Sequence, residues 1–298
     1  MSAPDISVVI PTYKRETELI NAVRAVLGQS HSDLELIVLD QSRDHPPETK
    51  KALTTIKDPR FRYYRISPPS LPAARNFGLR AAKAPIVLFL DDDIKAHSDL
   101  VKYHLQAYKK NSAISAVGGR VLQAGFPIKK QVLRFDKHGV SHGVFTATEA
   151  GYTNAFPGGN HSLKVADAKK VGGYDTRYYR IAFREESDMG LKMIRAGMKI
   201  YYEPKAEIFH LNTISGGLTH YEDLFDRLDF YRNDLFFVLR TVGLWNIPGA
   251  LYAKFMEYCH LRPLGKALKR SVYFGIGLLT AFRRQLFGRQ ITAKEIRS

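Results

Sequence analysis

The chain has 298 residues, 45% of them hydrophobic, which is enough to bury the core of one large domain or two small ones. Its formal net charge of +16 permits nucleic acid, an anionic membrane or a phosphorylated small molecule as a partner. No zinc-finger, homeodomain or RNP pattern accompanies the charge, which argues against nucleic acid, and no apolar run reaches the roughly 20 residues that span a bilayer.

Residues 6–90 alternate strand-like and helix-like patterns. Short apolar runs predict strands, and spaced apolar positions between them predict helices. This βαβα order predicts an α/β fold with a mainly parallel, Rossmann-like sheet and helices on both faces. The predicted strands are 6–10, 34–39, 61–66 and 86–90, and the predicted helices are 16–29, 48–57 and 73–82.

The pattern becomes less regular beyond residue 98, although strands and helices still alternate there. Residues 123–157 are aromatic and contain several glycines, so no regular element is predicted for them. The predicted helices are 98–110, 162–171, 185–196 and 220–241, and the predicted strands are 114–122, 199–203 and 208–211.

The fourth predicted strand ends on three consecutive carboxylates, Asp91, Asp92 and Asp93. Because like charges repel, this run needs a compensating cation or a wet cleft. A divalent metal carrying a phosphorylated substrate would satisfy it, and a solvated acidic loop is the alternative. In an extended segment Asp91 and Asp93 point one way and Asp92 the other. Asp40 also follows a strand end, so we expect it to face the same cleft.

Six short motifs follow one another along the chain, at residues 7–15, 36–40, 74–79, 89–93, 158–160 and 184–191. In this order they resemble the motifs of glycosyltransferase family 2, the inverting GT-A enzymes that use nucleotide-diphospho-sugars. The resemblance implies a GT-A domain over residues 1–220, with a nucleotide-binding half at 1–98 and an acceptor half at 99–220. It leaves residues 221–298 as a helical, basic and amphipathic C-terminal extension.

The resemblance implies that several residues bind the nucleotide-sugar. A carboxylate at Asp40 can accept a hydrogen bond from a base imide, although Gln41 stands where many relatives carry a second acid. Arg75, at the start of a predicted helix, would contact the diphosphate. The structural alternatives are a turn at Pro11, a cap at Asp40 and an exposed Arg75. The implied set is Pro11, Thr12, Tyr13, Arg15, Asp40, Arg75, Asp91 and Asp92.

The resemblance also implies a metal site that holds Mn²⁺ or Mg²⁺. Asp91 and Asp93 match the Asp-x-Asp pattern of the family, and His210 stands near the place where many relatives have a metal-binding histidine. The ion would bridge both phosphates and stabilise the leaving diphosphate. Asp91 could instead hold the ribose or a metal-bound water, and a lone histidine is often structural.

A second acidic cluster opens the predicted helix 185–196. Glu186 stands where the family has its base, usually an Asp, which deprotonates the acceptor hydroxyl. Glu185 and Asp188 are alternative bases, and acids at a helix N-terminus can also merely complement the helix dipole. Glycines permit close backbone approach to a ligand. The residues implied to contact the sugar or acceptor are Gly158, Gly159 and Asn160.

The C-terminal segment concentrates positive charge, with ten lysines and arginines and only two acids between Lys254 and Ser298. Over residues 264–284 the cations flank apolar side chains, which predicts a helix lying on an anionic membrane surface. Packing of this helix on the domain is the alternative. Cys259 is the only cysteine, and residues 1–5 lack a signal peptide pattern, so we expect a cytoplasmic protein peripheral to the inner face of the cell membrane.

The resemblance therefore implies a metal-assisted inverting glycosyltransferase. It would move a sugar from a nucleotide-diphospho-sugar to a hydroxyl of a saccharide or lipid-linked acceptor, in cell-surface polysaccharide or glycolipid synthesis. A nucleotidyltransferase acting on sugar phosphates is an alternative, but it normally needs a glycine-rich loop, and residues 11–15 contain no glycine. A non-catalytic basic module that binds membrane or nucleic acid is the other alternative.

Overall fold

The computed structural model describes residues 3–213, 228–259 and 264–296. Its strands are β1 (Ile6–Thr12), β2 (Leu34–Asp40), β3 (Phe61–Arg65), β4 (Ile86–Leu90), β5 (Ile94–Ala96), β6 (Ile114–Gln123), β7 (Arg134–Phe135), β8 (Ser141–His142), β9 (Gly151–Thr153), β10 (Asn160–Lys164) and β11 (Lys199–His210). Its helices are α1 (Thr17–Leu27), α2 (Pro47–Thr54), α3 (Leu71–Ala81), α4 (Leu100–Lys110), α5 (Val165–Lys170), α6 (Glu185–Arg195), α7 (Leu228–Thr241), α8 (Ile247–Cys259) and α9 (Leu264–Phe287).

Nine strands form one sheet in the order β3–β2–β1–β4–β10–β6–β11–β5, with β9 paired to β11. Strands β7 and β8 form a separate hairpin. In the large sheet, β5, β9 and β10 run against the direction shared by β1, β2, β3, β4, β6 and β11. The sheet is therefore mainly parallel, as the sequence predicts.

Helices cover both faces of the sheet, which confirms the predicted α/β fold. One apolar core packs α1, α2 and α4 against one face of the strands. A second core packs α3, α5 and α6 against the other face. Because β1 and β2 lie between these cores, every residue in them is buried, which explains why both sequences are mostly apolar.

The predicted helix 162–171 is wrong in its first part. Residues 160–164 form β10, an antiparallel strand between β4 and β6, and the helix covers only Val165–Lys170. The strand is rich in polar residues but buried, because neighbours bond its side chains: His104 Nδ1 and Tyr108 Oη each lie 3.0 Å from Ser162 Oγ. Its sequence therefore has neither the apolar run nor the alternation that marks a strand.

The predicted strands 199–203 and 208–211 are one strand, β11, which continues through Pro204. The strand pairs with β6 on both sides of a register shift between Glu203 and Glu207, and this irregularity accommodates the proline. The last residues of β11 also pair with β5, an element that the sequence analysis missed, with His210 opposite Ile94. That pairing brings the end of β11 to the acidic run after β4.

Helix α3 begins two residues before its predicted start, at Leu71. Ser70 caps α3, and its Oγ accepts a hydrogen bond from the backbone N–H of Ala73, so Arg75 lies in the second turn rather than at the helix start. Helix α7 is described from Leu228 onward, and residues 220–227 of the predicted helix 220–241 lie outside the described residues.

Helices α7, α8 and α9 form a third apolar core, which also includes Phe135, Ala155 and Tyr178. The contact between α9 and α7 is close at Gly277, where an added Cβ would lie 2.8 Å from the Tyr231 Cβ. After α9 the chain contacts the loop between α5 and α6, where the backbone N–H of Ile291 donates to Thr176 Oγ1 at 2.6 Å. Within the described residues, no helix combines the length and apolar character that a membrane span requires.

A buried ion cluster joins α7 and α8 to the start of α6. The carboxylate of Asp234 lies 2.6 Å from Arg184 Nε and 3.1 Å from Lys254 Nζ, and it accepts a hydrogen bond from Tyr258. Lys254 is 1% exposed. Arg270 and Arg284 are also buried, so these three cations of the basic segment belong to the interior rather than to its surface.

We expect Asp234→Asn to lower the free energy of unfolding by about 3–5 kcal/mol, because it leaves buried cations without their counter-charge. Chemical denaturation monitored by circular dichroism measures the change. The matched control is Asp44→Asn, which breaks the exposed pair with Lys50 and should leave the midpoint unchanged. Equal midpoints for the two variants would contradict the role given to this cluster.

The Asp234→Asn substitution should also change how the free energy of unfolding depends on pH in acid. Burial opposes ionisation of Asp234, but the charges of Lys254 and Arg184 and the Tyr258 hydrogen bond lower its pKa to about 2. A depressed folded-state pKa gives stability that is present above about pH 4 and lost as the pH falls towards 2. The difference in free energy of unfolding between wild type and Asp234→Asn should therefore become smaller as the pH falls from about 4 to 2.

Candidate active site

The acidic run after β4 meets the end of β11 at one edge of the sheet. Asp91, Asp93 and His210 each offer a ligand atom, and these atoms all lie within 4.8 Å of one another. His210 Nε2 is 3.2 Å from Asp93 Oδ1 and 3.7 Å from Asp91 Oδ2. The β5–β11 pairing fixes this meeting, because the backbone N–H of Leu211 donates to Asp93 O at 2.9 Å. Two carboxylates and an imidazole thus converge as the sequence predicts.

The middle carboxylate points away from this trio. Asp92 accepts a hydrogen bond from Thr12 Oγ1 at 2.6 Å and lies 3.6 Å from Arg15 Nε. Burial, reinforced by the neighbouring Asp93 carboxylate, raises the pKa of Asp92 to about 7. The structure therefore gives Asp92 and Thr12 internal partners that hold the acidic run against the end of β1.

Arg15 binds the acidic run directly. Its Nη2 donates to Asp93 Oδ2 at 2.9 Å, and its Nη1 donates to the carbonyl of Thr213 at 3.2 Å. Burial opposes ionisation of Asp93, but the hydrogen bond with His210 and the charges of His210 and Arg15 lower its pKa below the usual range. Asp93 is thus held as a carboxylate, the form that binds a metal.

The glycine pair lies beside the acidic run because β10 pairs with β4. The backbone N–H of Asp91 lies 3.3 Å from Gly159 O. A Cβ added at Gly159 would overlap Asp91 Oδ2, so only glycine fits here without displacing the carboxylate. Gly158 is close to Glu186, whose Cγ would lie 3.7 Å from an added Cβ.

Asn160 does not reach this space. Its Nδ2 donates to the carbonyls of Arg120 and Ala206, and its Oδ1 accepts from His104 Nε2 at 2.9 Å. Burial lowers the pKa of His104 to about 4, so the imidazole stays neutral. The side chain of Asn160 is fully buried, and its bonds join β10 to β6 and β11.

The three acids at the start of α6 have different surroundings. Glu185 is 1% exposed and forms an ion pair with Arg75, whose Nη2 also donates to Gly158 O at 2.9 Å. Asp188 is 1% exposed and lies 3.2 Å from Arg240 Nε. Both carboxylates therefore pair with arginines. Arg75, which was predicted to contact the diphosphate, is buried and bound to Glu185 and Gly158.

Glu186 is the acid of this group that faces open space. Its Oε1 accepts a hydrogen bond from Ser187 Oγ at 2.8 Å, and its side chain is partly exposed. Together with Asp91 and His210 it lines a cavity of about 330 Å³. The two acidic groups of the sequence thus share one cavity.

The predicted base-binding residue Asp40 lies inside the protein. Its carboxylate is fully buried, with His45 Nε2 at 2.7 Å from Oδ2, a hydrogen bond from Tyr63 to the same oxygen and the backbone N–H of Ser42 on Oδ1. His45 also contacts Glu16. The expectation that Asp40 meets a nucleotide base is not supported by this geometry, because its oxygens already have internal donors.

A second cleft, of about 480 Å³, opens beyond the ends of β1, β2 and β3. Tyr13 supplies an aromatic surface there, and Lys14, Arg43 and Arg65 line the same cleft. Pro11 is buried as the penultimate residue of β1 and does not line it. Aromatic and cationic side chains at the carboxyl ends of parallel strands are suited to a nucleotide.

The sequence analysis missed several residues of the site. Phe126, Phe135 and Phe183 line the cavity beside Glu186, and Thr213 holds Arg15. The aromatic content of residues 123–157 was the only signal for the first two. The contact between Arg75 and Glu185 joins residues distant in sequence, for which no local pattern exists.

The overall arrangement is that of a GT-A fold. The structure resembles that of a mannosyltransferase, PcManGT from Pyrobaculum calidifontis, solved in complex with GDP-Man and Mn²⁺, with a TM-score of 0.60 and 17% sequence identity. The match covers 97% of this chain and 89% of that one. It supports the predicted fold class.

Residues 7–154 match the family model Glycosyl transferase family 2, so this part of the chain is a domain of that family. It is 33% identical over 111 residues to an uncharacterized glycosyltransferase of Rickettsia felis, a match that covers 37% of this chain and 18% of that protein. It is 31% identical over 126 residues to the GalNAc(5)-diNAcBac-PP-undecaprenol beta-1,3-glucosyltransferase of Campylobacter jejuni, covering 40% and 38% respectively. The chain thus spans less than half the length of these two relatives.

We expect Gly159→Ala to weaken Mn²⁺ binding by about tenfold or more, because the new Cβ would displace the Asp91 carboxylate. Calorimetric titration with Mn²⁺ alone measures the affinity. Gly151→Ala is the matched control, since no atom lies within 4 Å of a Cβ added there. Equal, wild-type affinity in both variants would show that Asp91 is not a ligand.

Proposed function

We propose that this protein is an inverting glycosyltransferase that moves a sugar from a nucleotide-diphospho-sugar to a hydroxyl of a saccharide or lipid-linked acceptor. The observation that carries the proposal is that Glu186, Asp91 and His210 line one cavity. A candidate base and a candidate metal site therefore face the same space, as transfer between a donor and an acceptor requires. The names of the Campylobacter relative and of the Pyrobaculum structure support this class of donor and acceptor.

The residues present fit a divalent cation such as Mn²⁺ or Mg²⁺. Carboxylate oxygens of Asp91 and Asp93 are hard ligands, and His210 adds a nitrogen within the same 4.8 Å group. His210 Nδ1 is buried and has no hydrogen-bond partner within the described residues, so the internal contacts of the protein leave one ring nitrogen unsatisfied. When bound, the ion supplies positive charge that stabilises the departing diphosphate.

The cleft beyond β1 to β3 is the proposed place of the nucleoside. Tyr13 offers a face on which a base can stack. The cationic side chains of Lys14, Arg43 and Arg65 can donate hydrogen bonds to phosphate or ribose oxygens. This cleft adjoins the acidic run through Thr12, which ends β1 and bonds Asp92. A donor lying from Tyr13 towards Asp91 would bring its sugar to the glycine pair.

Glu186 is the proposed base. Its carboxylate takes the proton of the acceptor hydroxyl as the hydroxyl oxygen forms a bond to the anomeric carbon. The bond from that carbon to the diphosphate oxygen breaks on the opposite face, and the nucleoside diphosphate leaves with the electron pair. Glu185 and Asp188 are poorer candidates because ion pairs with Arg75 and Arg240 hold them in the interior.

We expect Glu186→Gln to lower kcat by about 10²- to 10⁴-fold while donor affinity stays unchanged, since only proton transfer is lost. The assay incubates UDP-, dTDP- and GDP-sugars with Mn²⁺ and a membrane extract and measures released nucleoside diphosphate. Glu48→Gln, an exposed substitution in α2, is the control and should keep full activity.

Three outcomes would contradict the proposal. Full activity of Glu186→Gln would exclude this residue as the base. A product that keeps the anomeric configuration of the donor would exclude inversion. Pyrophosphate release from a nucleoside triphosphate, with no turnover of any nucleotide-sugar, would instead indicate a nucleotidyltransferase.

We further propose that α9 binds an anionic membrane surface. Its exposed apolar side chains recur every three or four residues and form one stripe, while its opposite face packs on α7. Lys266, Lys269 and Arg283 are exposed on the same helix and suit anionic headgroups. The stripe comprises Leu264, Leu268, Val272, Ile276, Leu279, Phe282 and Leu286.

We expect the protein to co-sediment with vesicles of phosphatidylglycerol and phosphatidylcholine, and less with phosphatidylcholine alone. Leu279→Asp should reduce binding several-fold, because it places a carboxylate in the apolar stripe. Ile128→Asp, at another exposed apolar position, is the control and should bind as wild type does. No sedimentation at low salt, or equal losses in the two variants, would refute membrane binding by α9.

A further inference from the structure

The cavity beside Glu186 has walls that are mostly apolar. One wall comes from the end of β6 and the β7–β8 hairpin, and the other comes from residues 157–159 and the start of α6. Asp91, His210 and Glu186 also line it. The apolar lining is Val121, Phe126, Leu133, Phe135, Val144, Phe145, Pro157 and Phe183.

Several polar groups of the lining are already used within the protein. Arg184 lies 2.6 Å from Asp234 and stacks between Phe183 and Phe135, with its carbon Cζ 4.5 Å and 5.0 Å from the ring centroids. Thr146 Oγ1 donates to Pro127 O at 2.5 Å, and Ser187 Oγ donates to Glu186. These groups therefore have little capacity left to bond sugar hydroxyls.

A group that enters this cavity loses water. Burying an unpaired hydroxyl against aromatic and aliphatic walls is unfavourable, because its hydrogen bonds to water are lost. Burying a hydrocarbon or aromatic group there is favourable. The volume of about 330 Å³ lies at the lower end of the range for small-molecule sites. The space can hold several carbon atoms directly beside the proposed base.

We infer that this cavity takes an apolar group carried by the acceptor next to the hydroxyl that attacks, so that the acceptor is an amphiphile rather than a free saccharide. This inference rests on the proposed function, which assigns Glu186 as the base and therefore the cavity beside it as the acceptor site. The donor cleft around Tyr13 is a separate space with cationic walls. The apolar group therefore belongs to the acceptor and not to the nucleotide.

Phe126 marks the rim of the cavity and permits a test with little risk to folding. It lines the cavity and is 46% exposed, so truncation removes an apolar wall without opening a core. Ile128 lies two residues away, is 62% exposed and does not line the cavity. The pair Phe126→Ala and Ile128→Ala therefore separates the cavity from general surface hydrophobicity.

The probes are methyl and n-octyl β-D-glucoside, the latter below its micelle concentration, titrated calorimetrically into the full chain with Mn²⁺ and nucleoside diphosphate present. We expect the octyl compound to bind at least about tenfold more tightly, because its methylenes leave water. Phe126→Ala should bind the octyl glucoside at least about fivefold more weakly than wild type, and Ile128→Ala should bind it as wild type does. Leu279→Asp should also keep the wild-type affinity, which would exclude α9 as the binding site.

Equal affinity for the two glucosides would overturn the inference, and so would equal losses in Phe126→Ala and Ile128→Ala. Nucleoside diphosphate affinity, measured in the same titrations, should be unchanged in both variants. Failure of the proposed function has a different signature, namely octyl binding that depends on Phe126 without nucleotide-sugar turnover. Failure of the inference alone leaves turnover intact but equally fast with free saccharides.

Discussion

Charge compensation among buried acids controls the arrangement of the site. Arg15 binds Asp92 and Asp93, and the cations of Arg75 and Arg240 bind two of the three acids that open α6. Burying a carboxylate without such a partner is costly, so each pair fixes the elements that carry it. Within the part of the chain that the structure describes, these pairings leave Glu186 as the α6 acid that faces the cavity.

Much of the fold could be predicted from local pattern. The apolar runs of β1, β2 and β4 and the spaced apolar residues of α1 identify the parallel half, because burial on both faces demands such sequences. The antiparallel strands could not be predicted in this way. β10 is polar in sequence but buried, and β5 is only three residues long, so each depends on partners that lie far away along the chain.

Some features of the candidate site could likewise be predicted from the sequence, and others could not. The convergence of Asp91, Asp93 and His210 could be predicted from motif order, because strand ends meet at one edge of a sheet. Individual roles were harder to predict. Asp40 and Asn160 match family motifs, yet the side chains of His45 and His104 bond them in the interior. Motif matches locate a site, whereas the direction of each side chain depends on residues that the motif does not contain.

Two contacts hold α9 against the rest of the protein, and they have a mechanical consequence. The helix packs along α7, and the segment that follows it is bonded to Thr176, in the loop between α5 and α6. The helix therefore cannot move independently of the elements next to Glu186. If the apolar stripe of α9 binds a membrane as we propose, these contacts would hold that membrane surface at a constant distance from Glu186.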